Sequence, residues 1–178
     1  THPYTGGIAQ HTTRLALELE QRGIKVSVES WKAQYPRALY PGPESVPGGK
    51  PEIGLPHDVR RKLKWYNPFS WLAAGMRMRR FDTVAFSVPT HFHAVPYLVI
   101  LVALGSKVAS FAIVHNVLPH EPGPLDRALM SLMLRAMSRV IVHGDAERDI
   151  AQSLGVQREK ITVTRLPSPW LPDSSNPG

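Results

Sequence analysis

Cysteine is absent from the 178 residues, so no disulfide framework holds this fold and no thiolate can ligate a metal. A long apolar run is lacking as well. The most apolar stretch, 94–104, is too short to span a bilayer, is closed by Gly105-Ser106-Lys107, and reads as a buried helix. No signal peptide is visible. Neither a serine-centred elbow nor a Walker sequence occurs, which removes the hydrolase and P-loop ATPase readings. The 8 histidines invite a metal, but no carboxylate stands at the spacing of an HExxH helix. Histidines that hold structure or touch substrate are expected instead, with no metal and no cofactor.

What is present describes a folded chain. At 43% hydrophobic and 20% charged residues the composition suits one soluble domain with a proper core. The net charge of +7 suits an anionic partner: nucleic acid, an anionic membrane or a phosphorylated small molecule. The chain opens at Thr1 without a methionine and ends in Pro172-Asp173-Ser174-Ser175-Asn176-Pro177-Gly178, which has no structural period. It is expected to be a piece of a longer protein, with one domain over 1–166 and a tail or linker over 167–178.

The chain is organised around Thr5-Gly6-Gly7-Ile8-Ala9-Gln10-His11-Thr12. A glycine pair runs into a helix over 8–22, with Ile8, Leu15, Ala16 and Leu19 on one side. Glycine lets the backbone approach a ligand, and the first helical turn offers unpaired N–H groups to a phosphate. Gly23 stops this helix, and 25–31 alternates like a strand. Residues 32–57 are rich in proline and glycine and are expected to be irregular and to belong to a binding surface. Asn67-Pro68 starts a helix with Phe69, Leu72, Ala73 and Met76 on one face. A strand is expected over 81–88, the apolar helix over 92–104, and a doubly buried strand over 108–114. A loop from His115 leads to a helix over 125–137, then a strand over 139–142. Asp145 caps a helix running to Leu154, and 161–164 begins another strand. This alternation gives an α/β fold: a parallel sheet with helices on both faces. The strand over 108–114 should be central, flanked by those over 25–30 and 81–88. The glycine pair should itself follow a strand, which is missing.

Ligands of such sheets bind where the strands deliver their C-terminal ends into loops. The loops converging there are 4–7, 87–91 and 115–121. His115, between a buried strand and a loop, could contact a ligand or merely tie the loop together. Glu121, beside His120, could accept a ligand hydrogen bond or be a solvated carboxylate. Arg60, Arg61, Lys62 and Lys64 precede Trp65 and Tyr66, a basic-aromatic mix that suits an anionic membrane surface or a solvated helix flank.

With these pieces in order, the sequence resembles the N-terminal half of a GT-B glycosyltransferase, in particular the retaining family 4. The resemblance is carried by Pro3-Tyr4-Thr5-Gly6-Gly7-Ile8-Ala9-Gln10-His11, by Ile113-Val114-His115-Asn116, and by Arg139-Val140-Ile141-Val142-His143 leading into Ala146-Glu147-Arg148-Asp149. Trp31, Tyr35-Pro36, Leu39-Tyr40-Pro41-Gly42 and His115-Asn116-Val117-Leu118-Pro119-His120-Glu121 look like a bacterial subgroup. The resemblance implies a Rossmann-like, acceptor-side domain facing a donor-binding domain. Gly6, Gly7 and His115 would then meet the donor diphosphate or sugar, with His115 the catalytic contact. Tyr4, Gln10, His11 and His91, with Asn116, His120 and Glu121, would lie on the acceptor side.

The partners implied are a nucleotide-sugar donor, held mainly by the other half, and a hydroxyl acceptor for which a lipid-linked form is one option. Nucleic acid is not among them. The expected location is the cytoplasm, with the inner membrane face as a place of peripheral contact. Two other classes stand beside this one: a non-catalytic membrane-docking module that recruits a separate donor-binding chain, and a flavodoxin-like regulatory domain that binds a free nucleotide.

Overall fold

The computed structural model of the chain describes residues 7–36, 56–118 and 122–164. Helix α1 (Gly7–Gln21) ends where Gly23 turns to φ +77°, with Ile24 N–H reaching back to Leu19 at 3.0 Å. That left-handed step costs glycine nothing and closes the helix. Strand β1 (Val28–Ala33) follows, then strand β2 (Val59–Lys64) and helix α2 (Pro68–Met78). The Asn67 side chain accepts from Phe69 N–H at 3.1 Å and Pro68 occupies the first turn, the helix start that the dipeptide announces.

From there strand and helix alternate strictly: β3 (Thr83–Val88), α3 (Ala94–Leu104), β4 (Ala109–Val114), α4 (Pro124–Ala136), β5 (Arg139–Val142), α5 (Asp145–Ser153) and β6 (Ile161–Val163). Strands β3 to β6 form one parallel sheet in chain order, flanked by helices. Sequential order with right-handed crossovers puts α3, α4 and α5 along one face. The core lies beneath them. Met130, Met133 and Leu134 of α4 are fully buried, and each side chain contributes about 2 kcal/mol by leaving water.

Several expectations are corrected. β4 is interior, but its neighbours are β3 and β5. β1 pairs instead with β2, in parallel, as a separate two-stranded sheet among the described residues. β2 is the basic run itself: Arg60, Arg61, Lys62 and Lys64 stand on a strand whose buried anchor is Leu63, not on a helix flank. The helix α2 buries Trp71, Ala74 and Gly75, while Phe69, Leu72 and Met76 face outward. In α1 the fully covered stripe is Ala9, Thr13 and Ala16, whereas Ile8, Leu15 and Leu19 are half-buried. α5 is capped by the Gly144 backbone, and Asp145 sits at its first helical position beside Arg148. Most of the proline-rich stretch (37–55) and the tail from 167 lie outside the described residues.

Candidate functional site

Strands β4 and β5 are parallel neighbours, with Phe111 opposite Arg139 and Ile113 opposite Ile141. Each delivers a histidine as the first residue beyond its C-terminal end, His115 and His143. Continuing the register puts those two side by side, and their ring centroids are 5.1 Å apart. The backbone of His115 is held by its N–H to Val88 at 3.4 Å, which extends the β3–β4 ladder.

A third ring arrives from α1. His11, one turn into the helix, meets His115 edge-on at 5.5 Å and His143 at 5.9 Å. The helix is steadied there by Thr12, whose hydroxyl lies 3.3 Å from that of Ser87 near the end of β3. Gly7, one turn before His11, is exposed, and among the described residues a Cβ on it would meet nothing within 4 Å. The first turn of α1 therefore lies one turn from the histidine rings. Its first N–H groups and positive dipole end suit an anion.

Burial shapes the chemistry of this cluster. It pushes the His115 pKa down to about 4, with further lowering from His143 and His11. His11 is lowered for the same reasons, desolvation first and His143 second. At neutral pH both rings are uncharged, so His115 can offer a hydrogen bond but not a cation. The Nε2 atoms of His115 and His143 are buried and have no hydrogen-bond partner among the described residues. A bare buried nitrogen costs stability, about 1–3 kcal/mol, and such atoms gather where a ligand is to be received.

The remaining candidates divide. Asn116 is exposed next to His115, and Gln10 is exposed on the first turn of α1. His91 stands in a 3-10 turn, its Nε2 3.4 Å from Asp126 at the start of α4. His93 is buried in an aromatic nest, 5.2 Å from both Trp31 and Tyr35. Tyr4, Gly6, His120 and Glu121 lie outside the described residues. Among the described residues no group of three His, Asp or Glu side chains is arranged to hold a metal ion.

In the sequence, His143-Gly144-Asp145 reads as a strand end followed by an N-capping aspartate, which gives His143 no functional role. The signal that finds it is the repeated ending Ile-Val-His of two strands, Ile113-Val114-His115 and Ile141-Val142-His143. Once those strands are neighbours, the two rings must meet.

The basic surface is also changed by its context. Arg60 lies 3.3 Å from Asp58, while Lys62 is exposed and Lys64 sits 5.8 Å over the Tyr66 ring. No helix among the described residues is long and apolar enough to cross a membrane.

Compared with known proteins, residues 5–165 match the model of the family described as Glycosyltransferase Family 4. No curated protein and no solved structure matches the chain.

Proposed function

The chain belongs to glycosyltransferase family 4, and from that premise we propose that it is the acceptor-side half of a retaining transferase. The enzyme moves a sugar from a nucleotide-sugar to a hydroxyl acceptor, and a facing donor-binding domain is needed for turnover. The observation that carries this reading is His115 at the end of β4, its ring packed against His11 of α1 and its buried Nε2 without a hydrogen-bond partner among the described residues.

In this scheme the Gly7 turn of α1 lies against the donor diphosphate, where helix N–H groups stabilise negative charge. The bond from the anomeric carbon to the leaving phosphate oxygen breaks while the acceptor oxygen bonds to the same face. The acceptor's hydroxyl proton passes to the departing phosphate oxygen. His115 contacts the transferred sugar as a neutral hydrogen-bonding group, and His11 and Asn116 approach from the acceptor side. No carboxylate nucleophile is required for this front-face course, and charge on the leaving group is met by fixed donors. The test is stereochemical. The full-length protein, supplied with an α-linked nucleotide-sugar and a simple hydroxyl acceptor, should give an α-linked product by proton NMR. A β-linked product would refute retention.

A second feature favours work at an anionic membrane. Phe69 is 79% exposed and Met76 57% exposed, and they form with Leu72 an apolar ridge on α2. Lys62 and Lys64 lie on β2, the strand joined to this helix by the Trp71 indole N–H donating to the Lys64 carbonyl at 2.8 Å. An apolar ridge beside cations suits a surface of anionic lipid, each cation adding about 1 kcal/mol. Flotation with phosphatidylglycerol vesicles should be strong, and with phosphatidylcholine weak. Both the double change Lys62→Gln, Lys64→Gln and the single change Phe69→Ser should reduce it. Binding unchanged by either would leave this face solvated.

A further inference from the structure

The ring of His143 is fixed from behind. Its Nδ1 lies 3.3 Å from the Thr164 carbonyl oxygen, and the Thr164 N–H donates in turn to the Val142 carbonyl at 2.8 Å. A carbonyl only accepts, so the hydrogen-bonded Nδ1 carries the proton. In the neutral ring the other nitrogen, Nε2, is then a lone pair. That atom is buried and has no partner among the described residues, and its ring packs against those of His115 and His11.

We propose that His143 is a further substrate-contacting residue of this site, its Nε2 accepting a hydrogen bond from a hydroxyl of the bound sugar. The inference rests on the transferase reading above and adds to it a residue and a direction of hydrogen bonding. A lone pair repels a phosphate oxygen and attracts an O–H donor, so the chemistry it selects is a polyol. The neighbours support this choice. The titratable groups facing His143 are His11 from α1 and His115 from β4, and both are held uncharged at neutral pH. A cradle of three imidazole rings at the strand ends, with the first turn of α1 beginning at Gly7, one turn before His11, would divide a nucleotide-sugar into its two parts. The sugar takes the histidines and the diphosphate takes the helix end.

Imidazole nitrogen NMR of the full-length, 15N-labelled protein at pH 7.5 reads this directly, with UDP-glucose, GDP-mannose and inorganic phosphate as probes. Nucleotide release from the two sugar donors is followed in parallel. The free protein should show His143 protonated at Nδ1 and bare at Nε2. The Nε2 signal should move with a nucleotide-sugar that is turned over and stay in place with phosphate. His143→Leu should then slow nucleotide release at least tenfold, and His143→Gln, which can return an oxygen acceptor to the Nε2 position, should recover part of it. A proton on Nε2 in the free protein, or an equal shift with phosphate alone, would overturn the inference. So would turnover without any shift of His143, an outcome that leaves the transferase reading standing. Failure to release nucleotide from either donor, with no shift of His143, would count against both.

Discussion

His93 is sealed in the core with both ring nitrogens engaged, Nε2 3.2 Å from the Gln34 amide nitrogen and Nδ1 3.3 Å from the Thr90 hydroxyl. The amide nitrogen donates, so the ring is neutral and burial lowers its pKa to about 3. An unfolded histidine takes up its proton near 6.5, so protonation favours the unfolded chain. The stability tied to neutral His93 is complete above about pH 6.5 and is lost as pH falls toward 3, by about 1.4 kcal/mol per unit inside that window. His11 and His115 act in the same direction. The melting temperature should therefore fall steadily from about pH 6.5 to pH 5. His93→Leu should lower it at pH 7, because the Gln34 amide loses its acceptor on the ring and keeps the Tyr35 hydroxyl at 3.4 Å, but should make the acid limb shallower. An acid limb of undiminished slope in that variant would contradict this account of His93. The sequence singles out His115 from its place after a buried strand and His11 from the family resemblance. That their rings meet each other and that of His143 depends on which strands are neighbours, and their protonation depends on burial.

Helices α2 and α3 approach closely because Gly75 has no side chain. A Cβ there would lie 2.6 Å from both the Ala103 Cβ and the Ile100 carbonyl oxygen. Gly75→Ala would gain up to about 1 kcal/mol of helix propensity. It must also push α2 off α3, and overpacking against backbone costs about 1–3 kcal/mol. The net result should be a lower melting temperature, read by calorimetry; a rise would show that the helices separate freely. The same contact decides which face of α2 is covered. Phe69, Leu72 and Met76 share one face at helical spacing and are exposed, while close packing is made by Ala74 and Gly75, with Trp71 buried beside β2. β2 was hidden for a related reason. Five of its six residues are not fully buried, so its hydrophobic alternation is too thin to register and pairing with β1 makes it a strand. By contrast β4, apolar except for Ser110, and the Asn67-Pro68 helix start are set by local chemistry and are legible in the sequence.

At the scale of the whole molecule, the chain brings His11, His115 and His143 together at the C-terminal ends of the two inner strands of a four-stranded parallel sheet. The two-stranded sheet is tied to the helical layer by Glu29 of β1, which receives the Arg77 guanidinium of α2 in a fork at 2.7 and 2.8 Å. The alternation of strands and helices was enough to establish the class of fold. The grouping of strands into two sheets was not, because pairing between separated segments leaves no local mark on them. The central claim is that His115 contacts the sugar as it is transferred, and its replacement in the full-length enzyme tests this most directly. His115→Ala should lower kcat/KM by about a hundredfold or more, the scale of one lost transition-state hydrogen bond, while the melting temperature changes little. A variant that melts early but retains its rate in the folded fraction would make His115 a structural tie. A variant that melts normally and transfers sugar at the wild-type rate would contradict the account and move the functional centre away from the end of β4.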